Sequence, residues 1–239
     1  DVHGRHDLPW QQDITAYRVW VSEIMLQQTQ VTTVIDYFER FMARFPNVKK
    51  LAAANVDEVL HLWSGLGYYA RGRNLHKAAI QICEQHNGEL PNALEEITAL
   101  PGIGRSTGSA ILAIASGQHH AILDGNVKRV LTRLRCISGV PDASATLKTL
   151  WPIAEQLTPK KRVGDYTQAI MDLGATVCTP KKPLCLYCPM QQHCKAHAQG
   201  LETELPFKKP KKAVPVKSAQ VLVLRHHNQW LWQQRPNSG

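Results

Sequence analysis

Four of the six cysteines lie within 17 residues of one another, with the spacing C-x6-C-x2-C-x5-C, at Cys178, Cys185, Cys188 and Cys194. In a chain without a secretion signal, cysteines grouped in this way indicate metal ligands rather than disulfides. Zinc sites usually present two close pairs, or a pair with histidines, and here only Cys185 and Cys188 form such a pair. The spacing therefore favours a cubane iron–sulfur cluster and leaves zinc, in a purely structural role, as the alternative.

A second stretch combines an anion site with a carboxylate. The sequence L-P-G-I-G at positions 100–104 contains the residue types of a tight turn, and a helix is predicted over Arg105–Ser116, ending at Gly117. Glycines at the start of a helix leave backbone N–H groups open to a phosphate. Asp124 stands at the expected start of the next helix, where an aspartate is either an N-cap alone or a catalytic carboxylate beside the phosphate site.

A third group of polar residues lies on the first predicted helix. Apolar residues recur at helical spacing between positions 16 and 31, which predicts one helix over that range. Glu23, Gln27 and Gln30 form a row on its other side. Such a row is either a solvated face or the lining of a cleft, in which a carboxylate and two amides bind the edge of a nucleobase.

The loop G-L-G-Y-Y-A-R-G-R at positions 65–73 brings glycines, tyrosines and arginines together. Arginines bind phosphates, and an aromatic ring such as that of Tyr68 can insert between stacked bases. The alternative interpretation is a glycine turn with tyrosines that pack against the core.

The composition agrees with a polyanionic partner. The chain has 239 residues with 28 Lys and Arg against 19 Asp and Glu, a formal charge of +9 and a pI near 9.4. No apolar run approaches the roughly 20 residues of a membrane span, and no signal peptide is recognisable, although a leader preceding Asp1 could have been removed. We expect a globular protein of one large or two modest domains that has no membrane segment.

Helices dominate the rest of the chain. Further helices are predicted over residues 37–45, 56–63, 71–86, 93–100, 127–138, 147–157 and 165–178. A linker rich in proline and lysine begins at position 202. Alternating residues at 219–225 and 230–235, on either side of a turn at 226–229, predict a β-hairpin that opens a second domain.

Taken together, these motifs resemble the helix-hairpin-helix DNA glycosylase superfamily, and within it the adenine-specific glycosylases of the MutY type. The segments that carry the resemblance cover most of residues 8–200: L-P-W-Q at 8–11, V-W-V-S-E-I-M-L-Q-Q-T-Q-V at 19–31, Y-F-E-R-F at 37–41, L-W-S-G-L-G-Y-Y-A-R at 62–71, the hairpin with L-D-G-N-V-K-R, and the four cysteines.

The resemblance implies an all-α fold of two lobes with DNA bound in the cleft between them. A six-helix barrel lobe with the helix-hairpin-helix would span residues 14–124, and residues 1–13 with 125–201 would form a lobe around a [4Fe-4S] cluster held by the four cysteines. Residues 202–218 would be a basic linker, and residues 219–239 the first hairpin of a truncated Nudix-like domain.

The implied activity is base excision repair of double-stranded DNA, in which a monomer in the bacterial cytoplasm, at the nucleoid, removes adenine mispaired with 8-oxoguanine or guanine. By motif position, Glu23 would be the acid and base, and Asp124 the carboxylate that faces the sugar. Adenine is a poor leaving group unless its ring nitrogens are protonated, which requires an acid such as Glu23 in a pocket that holds little water.

The remaining site residues are also assigned by motif position. The adenine pocket and base flipping would use Leu26, Gln27, Gln28, Tyr68, Ser106 and Asn126, and DNA phosphates would contact Gly102, Gly104, Arg105, Lys128 and Arg71. Ser106 occupies the position at which bifunctional relatives such as endonuclease III carry a lysine that forms a Schiff base. The resemblance therefore implies a monofunctional enzyme that leaves an abasic site.

Two alternatives stay open. The first is a related enzyme that acts on oxidised pyrimidines or on mismatched thymine, and the second is a DNA-binding module without catalysis whose cluster senses redox state. Because only the first hairpin of the Nudix-like domain is present, we also expect weaker discrimination of 8-oxoguanine from guanine.

Overall fold

The computed structural model describes residues 4–209, 216, 218 and 222–232, which divide between a helical unit, Asp1–Lys208, and a small C-terminal unit, Lys209–Gly239. Every regular element in the described part of the first unit is a helix, as the all-α prediction requires. Its α-helices are α1 Ala16–Leu26, α2 Val31–Arg44, α3 Val48–Ala52, α4 Val56–Leu62, α5 Ala70–Gln85, α6 Leu94–Thr98, α7 Arg105–Ser116, α8 Gly125–Arg135, α9 Ser144–Leu157, α10 Val163–Asp172 and α11 Lys195–Ala198. Short 3-10 turns cover Pro9–Gln11, Cys185–Tyr187 and Gln191–His193, and a π-helical turn, Leu173–Val177, follows α10.

The prediction of a single helix over 16–31 is wrong, because α1 ends at Leu26. Gln27 is the C-cap, Gln28 has a left-handed backbone with φ of 59°, and Gln30 is the N-cap of α2. Consequently Glu23, Gln27 and Gln30 do not form one row on a helix. The helix stops where a side chain from α5 binds its last carbonyl groups, a contact described below with the site.

Two hydrophobic cores share helix α7. The first core contains the large buried side chains of α1 to α5, among them Trp20, Phe38, Phe41 and Trp63. The second core lies between α7, α8, α9 and α10. Since α7 packs against both α1 and α10, it fixes the position of α1 relative to the start of α8.

The C-terminal unit contains the predicted hairpin in a shorter form. β1 Arg225–His226 and β2 Gln229–Trp230 pair antiparallel, with Arg225 opposite Trp230. The predicted strand residues 219–221 and 233–235 lie outside the described residues. Among the described helices, none is long and apolar enough to cross a membrane.

Candidate active site and nucleic-acid interface

A cavity of about 610 Å³ opens between α1, the start of α7 and the start of α8. It brings together most of the pocket residues predicted from the sequence, which are Glu23, Leu26, Gln27, Gln28, Ser106, Asp124 and Asn126, together with Lys128. These residues come from three separate stretches of the chain, and α7 holds the stretches in place. The structure thus joins two carboxylates, several amides and a hydroxyl in one concave surface.

Glu23 lies on α1 and faces this cavity. Burial raises the pKa of its carboxyl group to about 8, and the negative charge of Asp124 acts in the same direction. Among the described residues, none makes a hydrogen bond or an ion pair with the Glu23 carboxyl group. At neutral pH this carboxyl group is therefore mostly protonated, and its proton is available to a molecule that enters the cavity.

Asp124 is the N-cap of α8, and its Oδ1 accepts a hydrogen bond from the Val127 N–H at 2.8 Å. Burial raises the pKa of the Asp124 carboxyl group, but the N–H groups of Val127 and Asn126 and the positive charge of Arg129 oppose that increase. Glu23 has no comparable partners. When the two carboxyl groups hold one proton, it resides on Glu23 and the charge resides on Asp124.

Hydrogen bonds tie the walls of the cavity to α7. Ser106 Oγ accepts a hydrogen bond from the Leu123 N–H at 2.9 Å, which fixes the segment just before Asp124. On the opposite wall, Gln27 Nε2 donates to Thr107 Oγ1 at 3.4 Å. The first turn of α7 therefore sets the separation between the Asp124 and Gln27 sides.

The predicted phosphate site at the hairpin has an open backbone. Gly102 adopts φ of +81°, and a Cβ there would lie 2.9 Å from Cβ of Asn74, so the turn requires glycine. Gly104 is the N-cap of α7, and a Cβ added at Gly104 would have no neighbour within 4 Å. No side chain therefore crowds Gly104 at the start of α7, as the approach of an anion to that end of the helix needs.

The two cations predicted beside this site are already in ion pairs. Arg105 stacks on the ring of Trp151, 3.8 Å from its centroid, and binds Glu155. Lys128 Nζ lies 2.7 Å from Asp142 Oδ1. Both acidic partners are at least half exposed, so DNA phosphates can compete for the cations.

The predicted phosphate contact of Arg71 is wrong. Its guanidinium group points into the protein and donates to six oxygen atoms: the carbonyl oxygens of Ile24, Met25, Gln27, Leu66 and Gly67, and Oγ1 of Thr29. With both terminal nitrogens used in this way, no terminal N–H group is left for the DNA backbone. These bonds also explain why α1 ends at Leu26.

Tyr68 lies outside the cavity lining, on the loop before α5. Its side chain is 60% exposed, and its backbone is left-handed with φ of 48°. The exposed ring has the shape and the accessibility that insertion into a base stack requires.

Sequence reasoning missed several residues around Glu23. Trp10 and Gln168 line the cavity and also a second one of about 310 Å³, and Glu23 lies at the boundary between the two. Arg5 makes an ion pair with Asp172, which is 1% exposed. The L-P-W-Q motif signals Trp10, whereas no local pattern links positions 5 and 172, which pair only in the fold.

All four clustered cysteines line one small cavity next to α8. Arg133, only 2% exposed, extends Nη1 to 3.2 Å from Cys178 Sγ. Negative charge stabilises a buried guanidinium group, and thiolate ligands would supply such charge beside Arg133. Cys185 also forms a trio of possible ligands with His197 and Glu202, all within 4.8 Å, but only the four cysteines supply the all-sulfur donor set typical of iron–sulfur clusters. The residues present fit a four-thiolate cluster.

Relatives of this chain are found among DNA repair proteins. The model of the HhH-GPD superfamily of base excision DNA repair proteins matches residues 21–156. An adenine DNA glycosylase of Buchnera aphidicola from Acyrthosiphon pisum is 45% identical over 230 residues, which are 96% of this chain and 66% of the relative. The adenine DNA glycosylase of Rattus norvegicus is 49% identical over 214 residues, which cover 84% of this chain and 42% of the relative. The chain thus spans about two thirds of the bacterial relative and about two fifths of the mammalian one.

Solved structures share the fold. A thermostable thymine-DNA glycosylase superposes with a TM-score of 0.73 at 27% identity, covering 81% of this chain and 89% of the other. A non-covalent complex of endonuclease III with DNA superposes with a TM-score of 0.68 at 22% identity, covering 78% and 86%. The helical architecture predicted from the sequence is therefore confirmed.

Proposed function

Because the chain belongs to the HhH-GPD superfamily of base excision DNA repair proteins, and within it to the adenine DNA glycosylases, we propose that it releases adenine mispaired with 8-oxoguanine or guanine in double-stranded DNA. The observation that carries this proposal is the pair of carboxyl groups in one cavity, with the pKa of Glu23 raised to about 8 beside the N-cap carboxylate of Asp124.

Glu23 supplies the proton that makes adenine a leaving group. Protonation of a ring nitrogen withdraws electrons from the N-glycosidic bond and lets the base depart as a neutral molecule. An unshifted glutamic acid would be almost fully ionised at neutral pH, so the burial of Glu23 is what makes it a donor.

Asp124 acts on the sugar. As the bond to the base breaks, the sugar gains oxocarbenium character, which a nearby carboxylate stabilises or attacks at the anomeric carbon. The hydrogen bond from the Val127 N–H holds this carboxylate in place, so it needs little reorganisation during the reaction. Water then completes the hydrolysis and leaves an abasic site.

Adenine reaches this cavity only after it leaves the base stack. The exposed ring of Tyr68 would fill the gap, while Gln27, Gln28 and Asn126 offer amide groups to the edge of the base. The open N-terminus of α7 and the formal charge of +9 favour the DNA backbone. One monomer suffices for one flipped base.

The proposed enzyme is monofunctional. Strand cleavage through a Schiff base needs an amine beside the sugar, and α7 contains no lysine in its sequence R-S-T-G-S-A-I-L-A-I-A-S. Lys128 also lines the cavity, but its amine is paired with Asp142. Ser106, at the relevant position, accepts the hydrogen bond from Leu123 instead. Borohydride treatment during turnover should trap no covalent adduct of protein and DNA, and efficient trapping would contradict this part of the proposal.

The four cysteines would hold a [4Fe-4S] cluster, which cross-links the loop at residues 178–194 when bound. Arg133 would connect that loop to α8, because it donates to Cys178 Sγ and to the carbonyl oxygens of Thr179, Pro180 and Leu205. The proposal includes a barrel lobe at residues 14–124, a cluster lobe at residues 1–13 with 125–201, and a Nudix-like assignment of residues 219–239. Like the predicted nucleoid location, they follow from the resemblance.

Single-turnover release of adenine from a duplex tests the function directly. The duplex should carry one adenine opposite 8-oxoguanine, guanine or thymine, and Glu23→Gln and Asp124→Asn should be measured in parallel. We expect release opposite the two guanine forms and little release opposite thymine. Duplex binding without release by the unmodified chain, with its cluster intact, would favour the DNA-binding module.

A second candidate function is removal of thymine, favoured by the similarity to the thermostable thymine-DNA glycosylase. Thymine does not need a protonated ring nitrogen as strongly as adenine does, so the raised pKa of Glu23 argues for the purine. A duplex with thymine opposite guanine, assayed in the same series, separates the two functions.

A further inference from the structure

Arg71 joins two segments that are distant in the sequence. The first is the glutamine turn, residues Gln27–Gln30 between α1 and α2, and the second is the tyrosine loop, residues 65–69 before α5. Nη1 donates to the carbonyl oxygens of Ile24 at 3.1 Å, Met25 at 2.8 Å and Gln27. Nη2 donates to Thr29 Oγ1 and the Gly67 carbonyl oxygen, each at 3.1 Å, and to the Leu66 carbonyl oxygen at 3.3 Å.

Each of these segments holds one non-glycine residue in a left-handed backbone conformation, which is unfavourable for a side chain with a Cβ atom. In the glutamine turn it is Gln28, with φ of 59°, and in the tyrosine loop it is Tyr68, with φ of 48°. Such conformations persist only where the surroundings impose them. The surroundings that the two segments share are the hydrogen bonds of Arg71.

The guanidinium group is itself firmly seated. It lies 5.6 Å from the ring centroid of Trp63 and 5.4 Å from that of Tyr68. Trp63 Nε1 donates to the Gly67 carbonyl oxygen at 3.1 Å, and a Cβ at Gly72 would lie 3.1 Å from Trp63 Cδ2, so α5 and Trp63 pack closely. Among the described residues, no carboxylate pairs with Arg71, and its charge faces the carbonyl end of α1 instead.

We propose that Arg71 is a positioning residue that holds Gln28 and Tyr68 as one unit. This inference rests on the proposed function, in which Tyr68 fills the gap in the stack and Gln28 lines the cavity that receives the base. One planar group binds both segments. A displacement of one segment that moves the guanidinium group therefore also breaks the hydrogen bonds of that group to the other segment. The insertion of Tyr68 and the capture of the flipped base are thereby coupled.

Arginine is needed for this role. Its planar group presents donors on two terminal nitrogens toward two directions, whereas lysine has one nitrogen that can serve only one of the segments. Arg71→Lys keeps the positive charge and removes the coupling, which makes it the informative substitution.

The test measures base unstacking without chemistry. A duplex with 2-aminopurine in place of adenine, opposite guanine, reports unstacking by its fluorescence, and a Glu23→Gln background keeps the base attached. In this background Arg71→Lys should lower the unstacked fraction per bound protein about 10- to 100-fold, the size of effect expected when a charged group loses its hydrogen bonds to one of the two segments. Arg44→Lys, which alters an exposed ion pair with Glu58 on α2 and α4, is the matched control and should leave the signal unchanged.

A double-mutant comparison identifies coupling. If Arg71 acts through Tyr68, then Arg71→Lys combined with Tyr68→Ala should reduce the signal no further than Arg71→Lys alone. The proposal is overturned if the double variant loses the product of the two single losses in signal. It is also overturned if Arg71→Lys lowers the melting temperature but leaves unstacking per bound protein normal, because Arg71 would then be only a stabilising contact.

A milder pair of variants covers the case in which Arg71→Lys does not fold. Thr29→Val removes one of the six acceptors, and Thr29→Ser keeps the hydroxyl group. Only the valine variant should reduce unstacking, and equal signals from the two would also overturn the proposal. Adenine release by the unmodified chain tests the proposed function separately, so the two ideas can fail independently.

Discussion

Replacement of Glu23 by glutamine should stabilise the fold while it removes the proton donor. The pKa of the Glu23 carboxyl group is raised from 4.5 to about 8 because the carboxylate is costly in its buried position near Asp124. The folded chain therefore binds a proton that the unfolded chain has lost, and stability decreases as the pH rises from about 4.5 to about 8. Glutamine has nearly the same shape as the protonated acid and never carries the charge.

The size of the effect follows from those two pKa values. At pH 5 the raised pKa of Glu23 lowers the stability of the fold by about 1 kcal/mol, and at pH 7 the cost is about 3 kcal/mol, because the unfolded chain gains from ionising a group that stays mostly protonated in the fold. For a chain of this size the cost at pH 7 corresponds to about 6 to 12 °C in melting temperature. The advantage of the glutamine variant should thus increase with pH and level off above about pH 8.

Thermal unfolding at pH 5, 7 and 8, monitored by circular dichroism, measures this difference. Glu39→Gln, on the exposed side of α2, is the control for removal of a carboxyl group. A glutamine variant at position 23 that is no more stable than the unmodified chain at pH 7, or whose advantage does not change with pH, would refute the assignment of Glu23 as a buried acid.

Three further predictions concern activity, the cavity wall and the cysteine site. The single-turnover rate of adenine release should fall about tenfold per pH unit above about pH 8, as Glu23 loses its proton, and a rate that stays constant to pH 10 would contradict this donor. Ser106→Ala should destabilise the fold by about 1 to 3 kcal/mol in urea unfolding, because the N–H group of Leu123 loses its acceptor; an exposed Ser144→Ala should not. Arg133→Met should lower the iron and sulfide content per chain, as Cys178→Ser should. If the unmodified protein contains zinc and no iron, the four cysteines form a zinc site and the assignment of a cluster is wrong.

The sequence predicted those parts of the fold that local chemistry determines. Helix α7 has the predicted bounds because Gly104 and Gly117 flank it, and the N-cap position of Asp124 follows from the D-G-N sequence. The end of α1 could not be predicted, since Arg71, more than 40 residues away in the chain, binds the carbonyl groups there. For the same reason, the glycine-rich loop predicts a phosphate contact for Arg71, whereas in the fold the guanidinium group of Arg71 faces inward.

The two carboxyl groups meet because α7 belongs to both hydrophobic cores. Glu23 is carried by α1, which packs on α7 in the first core, and Asp124 begins α8 in the second. A Cβ at Gly174 would lie 2.6 Å from Asn126 Cβ, so the π-helical turn after α10 presses directly against the start of α8. The position of Asp124 is thus set by α7 on one side and by the π-helical turn on the other, while Glu23 is positioned by α1, which packs on α7. The two residues are 101 positions apart and meet in one cavity, where they keep different protonation states because the N–H groups of Val127 and Asn126 stabilise the charge of Asp124 and Glu23 has no comparable partners.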